Sequence, residues 1–330
     1  MRIIRVKTNS FFGIIIVVIA VFTTLNSYAK KFTYNEKKLG GDFKLVFYTT
    51  NKSDADKTAN QTYLYVDKLN AILSNYLLSS EVSLLNKKGK YPNPSIELIE
   101  VLNYSQLAFN KTDGYFDVSI QPLIELWNKA EEKGKIPSDK YLRRKGAEVG
   151  FNDVLRNDNY CLILKSKSEL ELGGIAKGFI IDKVYEYLKN MNFNSFLIEA
   201  AGDIRVFGSP EDEEYWTVGV SSNNQHNYVV QLKSGQAIAT SGNTYRFRII
   251  EGKKYSHLIN PKSFMPVTHS LSASVIADSA TTADYLASTF NIVTDKTEIT
   301  TILNRHNNVE ILIFNNHGIF FETEKYFRNK

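Results

Sequence analysis

The segment richest in potential chemistry is Glu171-Leu172-Gly173-Gly174-Ile175-Ala176-Lys177-Gly178. Two adjacent glycines opening a helix let the backbone approach a ligand closely, and the amides of a helix start attract phosphate. Lys177 adds positive charge there. The spacing is neither that of a Walker loop nor of a dinucleotide-binding fingerprint. Taken alone, the segment reads equally well as an ordinary glycine-rich turn into a helix. A second segment runs from Ala283 to Ser288 and places the Asp284 carboxylate and the Ser288 hydroxyl four residues apart, on one face of a helix. Two oxygen ligands on one turn suit a hard cation such as magnesium, which keeps waters and takes its other ligands from substrate phosphates. An Asp and a Ser so spaced are more often a solvated helix face. The small residues Ala280, Ala283 and Ala287 around them permit close backbone approach.

A third segment, Tyr255-Ser256-His257-Leu258-Ile259-Asn260-Pro261, sets an imidazole at a strand end that runs into a proline-stopped loop. Histidine is the natural proton acceptor near neutral pH, although a lone histidine is more often merely packed or solvated. The turns Ala201 to Arg205, Thr240 to Asn243 and Thr112 to Asp117 add glycines, hydroxyls and carboxylates without a motif of their own.

Elements to carry these residues can be read from periodicity. Val66, Leu69, Ile72 and Leu73 share a helical face, and Ile96, Ile99, Leu102 and Leu107 approximate another. A strand is predicted over Phe43 to Tyr48, and further strands over Ser195 to Ile198, Trp216 to Val220, Tyr228 to Leu232, Tyr245 to Ile250 and Ser272 to Ala277. Helices are predicted from Ile175 to Asn190 and from Thr281 to Phe290. No linker or repeat divides the chain. Lys87 to Pro94 and Gly134 to Asp139 read as short turns between helices. A helical first half followed by a run of strands predicts a single-domain α+β fold.

Composition narrows the functional classes. With 330 residues, 43% of them hydrophobic, the chain can bury a substantial core. The formal charge is +5, but Arg2, Arg5 and Lys7 supply three of those charges inside an acid-free start, leaving a body close to neutral. That gives no electrostatic case for nucleic acid. Cys161 is the single cysteine, which excludes an intrachain disulfide and a cysteine-rich zinc site. His226, His257, His269, His306 and His317 show no ligand-like spacing.

The three basic residues precede an apolar run from Phe11 to Phe22, and a polar stretch then ends in Ser27-Tyr28-Ala29. This pattern predicts a signal peptide over residues 1–29, with residues 30–330 as the working domain. The apolar run is shorter than the roughly 20 residues a spanning helix needs. No cysteine stands at the cleavage point to take a lipid, so the expected address is the periplasm, without an acyl anchor.

Taken in order, the segments resemble the ApbE family of flavin transferases. The resemblance runs from about Leu39 to the last strands. It is carried by Leu73 to Tyr76 with Ser80 to Asn86, Thr112 to Trp127, Glu171 to Asp182, Ala201 to Arg205, Thr240 to Asn243, Tyr255 to Pro261 and Ser274 to Ser288. It implies a T-fold-like α+β core and an exported enzyme that uses magnesium to split FAD. FMN would pass to a Thr or Ser hydroxyl of a flavin-accepting domain in a membrane electron-transfer protein, with release of AMP. The resemblance further implies a metal held by Asp284 and Ser288 with backbone oxygens near Gly174 and Ala287. Flavin and adenine contacts would fall to Leu39, Tyr76, Tyr115, Phe116, Asp117, Glu171, Lys177 and Ile259, and His257 would be the base. Hydrolysis of FAD to free FMN and AMP, and flavin binding with weak catalysis, are the alternatives.

The chain departs from the family pattern at several positions. Gly41 stands where a hydroxyl residue is usual, Glu171 where Asp is, and Ala201 where Gly is. Thr244 occupies the place of a tyrosine, Ser263-Phe264 that of Thr-Gly, and Ser288 that of threonine. Phe264 is the sharpest change, because a turn that glycine serves with positive φ has become bulky.

Overall fold

The computed structural model describes residues 29–323, apart from 152–153, 158–160, 166, 212, 222–226 and 243–246, together with residues 327–329. Apart from Ala29, the expected signal peptide lies outside the described residues, as do His226, Asn243 and Thr244.

The chain opens with a hairpin, β1 (Lys30–Lys38) and β2 (Gly41–Thr49), followed by α1 (Lys52–Leu73), α2 (Glu81–Lys88), β3 (Lys90–Pro92) and α3 (Ile96–Lys111). Next come α4 (Gln121–Lys133), α5 (Asp139–Gly146), β4 (Val154–Asn157), β5 (Cys161–Leu164) and α6 (Ala176–Asn190). Seven strands follow: β6 (Phe196–Ala200), β7 (Asp203–Phe207), β8 (Trp216–Ser221), β9 (Asn227–Leu232), β10 (Ala237–Gly242), β11 (Phe247–Ile250) and β12 (Lys253–Ser256). The chain closes with β13 (Ser272–Ala277), α7 (Ala280–Ile292), α8 (Lys296–Leu303), β14 (Glu310–Asn315), β15 (Gly318–Glu322) and β16 (Phe327–Asn329). Among the described residues the core is an eight-stranded antiparallel sheet in the order β1-β2-β6-β7-β10-β13-β14-β15. The α+β expectation therefore holds.

Both faces of that sheet are covered, and the residue alternation of its strands shows how. On β2, Phe43, Leu45 and Phe47 enter the large cluster under the helices, while Val46 points to the opposite side. There a three-stranded sheet, β16-β9-β8, packs Trp216, Val218, Val230 and Leu232 against Val206, Ile276 and Leu312. A third cluster joins α4 and α5 to the hairpin β11-β12 and the loop after it, through Leu123, Trp127, Leu142, Ile250, Tyr255 and Ile259.

The predicted α1 face is buried as expected. The α3 face is met only at Leu102: Ile96 is 68% exposed and Leu107 is exposed too, while Leu98, Val101, Ser105 and Ala108 join Leu102 toward the core. Ser105 disguises the true stripe, because its hydroxyl donates to the Val101 carbonyl at 2.7 Å and so is buried at little cost. The turn expected over Lys87 to Pro94 also contains the short strand β3, paired with β5.

Candidate functional site

The centre of the site is where α6 and α7 cross. Gly178 permits that crossing: a Cβ there would collide with the Ala280 carbonyl and the Thr281 amide. The backbones touch, so the Gly178 N–H can donate to Asp284 Oδ2 at 2.9 Å. Asp284 is only 6% exposed in the interior of α7, a place where an aspartate is costly unless paired. Its partners are that amide and Lys177, whose Nζ lies 3.5 Å from Oδ1 and also forms a close ion pair with buried Asp203. A single ammonium thus links the β6–β7 turn to α7.

The glycine turn reaches the same place. A Cβ on Gly174 would lie 3.0 Å from the Phe116 ring and 3.5 Å from Ser288 Oγ, so the missing side chain leaves a small cradle facing the Asp284–Ser288 turn. Just before it, Glu171 Oε1 accepts from the Gly173 amide at 2.8 Å and fixes the turn. Two asparagines hold the preceding segment by its backbone. Asn75 donates to the Leu170 carbonyl at 2.5 Å and accepts from the Leu172 amide at 3.1 Å, while Asn86 bonds both the N–H and the C=O of Leu170 at 2.8 Å. Next to Asn75, Tyr76 is 88% exposed, with Leu78 also exposed.

The Phe116 and Tyr285 rings pack against each other tilted by 50°, with centroids 5.6 Å apart. The Tyr285 hydroxyl meets His306 Nε2 at 2.8 Å, and His306 Nδ1 lies 2.8 Å from the Ile302 carbonyl. A carbonyl only accepts, so Nδ1 carries the proton and Nε2 takes the tyrosine's. Burial pulls the His306 imidazole below its ordinary range, consistent with that neutral form. Burial, and then the Glu298 carboxylate to which it donates at 2.7 Å, push the Tyr115 phenol well above its ordinary range. Asp117 accepts from both the amide and the hydroxyl of Ser119.

Asp182 escaped the sequence reading as a functional position. It accepts from the Ala280 amide at 2.8 Å, the Thr281 amide at 2.9 Å, the Thr281 hydroxyl at 2.5 Å and the Arg205 guanidinium at 2.6 Å. In effect α6 caps the first turn of α7 and sets where Asp284 stands. No local pattern reveals a cap whose donors lie about a hundred residues away; its place at the end of the Glu171 to Asp182 block is the one available hint.

His257 follows β12 directly and is half-buried. Ile259 bridges to Pro266, and its side chain is buried in the third cluster, so any ligand contact there runs through its backbone. Phe264 has φ 63°, the backbone region expected of a glycine. Its ring packs where Gly146 of α5 has no side chain, and its carbonyl accepts from Trp127 Nε1 at 2.9 Å. The bulky turn is thus accommodated by a second glycine.

Two other departures also meet. Leu39-Gly40 and Ala201-Gly202 are two-residue turns with positive φ throughout, closing β1-β2 and β6-β7. A Cβ on Gly41 would sit 2.7 Å from the Ala201 Cβ, and the Ala201 amide donates to the Asp42 carbonyl at 2.8 Å. The methyl gained at Ala201 occupies the space left at Gly41, beside the Asp203 that holds Lys177. Gly41→Thr is expected to destabilise the fold by about 1–3 kcal/mol, with Ala201→Gly recovering most of the loss. Urea unfolding of the two single variants and the double variant measures that coupling.

Among the described residues no three His, Cys, Asp or Glu side chains cluster as a metal site. A cation here would depend on one carboxylate, one hydroxyl and backbone carbonyls.

Comparison with known proteins identifies the family. Residues 39–313 match the sequence model of the ApbE family. The FAD:protein FMN transferase of Haemophilus influenzae is 29% identical over 249 residues, 71% of each chain. That of Vibrio cholerae is 29% identical over 253 residues, 73% of this chain and 75% of its own. The crystal structure of the ApbE protein of Thermotoga maritima superposes with TM-score 0.78 at 25% identity, over 89% of this chain and 97% of that one. The Pseudomonas stutzeri flavinyl transferase ApbE gives TM-score 0.78 at 20% identity, over 90% and 96% of the two chains. With the family match covering the hairpin turn at Leu39, the glycine turn, the His257 loop and the Asp284 helix, the chain belongs to the ApbE family.

Proposed function

We propose that this protein is a magnesium-dependent FAD:protein FMN transferase. The observation that carries the proposal is the meeting of the Gly174 cradle with the Asp284–Ser288 turn, beside Lys177. The names of the curated relatives support flavin transfer as the reaction class. The donor set is all oxygen, which fits a magnesium ion: Asp284 and Ser288 would hold it, with backbone carbonyls near Gly174 and Ala287. When bound, it supplies positive charge to the pyrophosphate oxygens.

The remaining work belongs to the chain's own residues. In the transfer, an acceptor Ser or Thr oxygen forms a bond to the FMN phosphorus, the bond from that phosphorus to the bridging oxygen breaks, and AMP leaves with that oxygen. His257 takes the hydroxyl proton. Lys177, held beside Asp284 by Asp203, presents an ammonium to the phosphates. Phe116 and the Glu171-fixed turn shape the wall next to Gly174, and Leu39, Tyr76, Tyr115, Asp117 and Ile259 complete the proposed flavin and adenine contacts. Residues 1–29 carry the pattern of an export signal, and we assign the working protein to the periplasm; the amino-terminal sequence of the protein recovered from that compartment tests the assignment.

Purified protein, FAD, magnesium and an acceptor domain with a target Ser or Thr test the reading by mass spectrometry. FMN on the acceptor together with AMP is the expected result. Free FMN and AMP would mean hydrolysis, and bound FAD without AMP would mean a flavin-binding protein. In the same assay His257→Ala should lower kcat by at least about 10²-fold while FAD affinity is largely kept. Equal loss of both would mean that His257 binds rather than deprotonates.

A further inference from the structure

The hairpin that delivers His257 holds a charge that packing alone does not require. Arg248, on β11, is 8% exposed beside the apolar cluster of Trp127, Ile250 and Tyr255. The carboxylate that offsets it is Glu131, whose Oε2 lies 3.8 Å from Arg248 Nε and is half exposed. Burial lowers the guanidinium's ionisation range, with Glu131 opposing. A buried cation so weakly compensated is costly, and an apolar side chain of similar size would usually serve the fold as well or better.

Its hydrogen bonds lead to the base. Nε and Nη2 both donate to Asn128 Oδ1 on α4, at 3.2 and 2.6 Å. Nη1 donates to the Ser256 carbonyl at 3.2 Å, the carbonyl of the peptide that joins Ser256 to His257. On the far side of His257, the Leu258 amide donates to Ser256 Oγ at 3.0 Å and the Leu258 carbonyl accepts from Val267 at 2.9 Å. Further along the loop, Trp127, the neighbour of Asn128 in sequence, donates to the Phe264 carbonyl. Helix α4 is therefore tied to the His257 loop on both sides of the imidazole, before it through Arg248 from Asn128 and after it directly from Trp127.

From this geometry we infer that Arg248, held by Asn128, is a positioning residue for His257: it fixes the Ser256–His257 peptide and so aims the imidazole at the acceptor hydroxyl. The inference rests on His257 acting as the base. A guanidinium suits the task because its rigid fork can bond a side-chain oxygen on one element and a backbone carbonyl on another at once. Displacing a catalytic group by about an ångström can cost about 10²-fold in rate.

The experiment compares FMN transfer by the full chain, Arg248→Met, His257→Gln and the double variant, with FAD KM and thermal midpoint recorded for each. Arg248→Met is expected to lower kcat about 10- to 100-fold, with FAD KM within about twofold and the midpoint unchanged or raised. It is expected to add no further loss on a His257→Gln background, and Asn128→Leu should reproduce the single-variant effect. An equal loss in both backgrounds, or a loss matched by a lowered midpoint, overturns the positioning role. A full effect of His257→Gln with none from Arg248→Met overturns the clamp alone. Wild-type kcat in His257→Gln overturns the base assignment beneath it.

Discussion

Asp284→Ala is expected to lower magnesium-dependent AMP release from FAD by about 10³-fold or more, the scale of the several kcal/mol a bound cation contributes to charge stabilisation. The fold should survive. Lys177 loses its contact with Asp284 but keeps its ion pair with Asp203, and the Gly178 amide is a buried donor left without its acceptor at a cost of about 1–3 kcal/mol. Asp284→Asn separates the two effects, because its side-chain oxygen still accepts from Gly178 while the charge is gone. Its melting midpoint should stay close to that of the parent protein while AMP release falls nearly as far as in the alanine variant. AMP quantified by chromatography, beside a thermal melt of each variant, checks both parts.

Gly178→Ala is expected to be nearly as damaging by a different route. The added methyl meets backbone atoms of Ala280 and Thr281, and backbone cannot swing aside as the end of a flexible side chain can. The helices must separate. Overpacking of this kind costs about 1–3 kcal/mol, and here the separation also weakens the amide bond to Asp284 and moves α7 away from the Gly174 turn. Turnover should drop about 10²-fold with chemistry-bearing side chains untouched. Urea unfolding with FAD turnover measures both, and wild-type behaviour in each would show that the close crossing of α6 and α7 does not set the site.

Where a functional signal was local, the sequence displayed it. The Gly-Gly turn and the four-residue spacing of Asp284 and Ser288 are set by helix geometry within one turn, and the folded chain brings them to one place. Strand β13 is legible to the residue, because Ser272 to Ala277 is a short run of small residues around the β-branched pair Val275 and Ile276. Strand β1 is not. Lys30–Lys38 is an edge strand most of whose charges face water, and its two half-buried aromatics, Phe32 and Tyr34, are a thin signal. The α3 stripe is disguised in the sequence, because Ile96 and Leu107 are apolar but outward, while buried Ser105 is polar and satisfied by its own helix.

Other parts depend on partners far apart in sequence. Asp182 capping α7, Asn75 and Asn86 gripping Leu170, and Arg248 reaching both Asn128 and Ser256 are relations between elements, so residue type and spacing do not announce them. The departures from the family pattern were visible as isolated oddities. Only the fold shows that Gly41 accommodates Ala201, and that Gly146 accommodates Phe264.

The central claim is that the Gly174 turn and the Asp284–Ser288 turn together hold one divalent cation on the diphosphate of FAD. Manganese substitutes for magnesium and can be counted by electron paramagnetic resonance. Titrating Mn²⁺ into the protein with FAD present should reveal one tight site per chain, weakened in Ser288→Ala and lost in Asp284→Asn. Mn²⁺ bound equally well by Asp284→Asn would contradict the account.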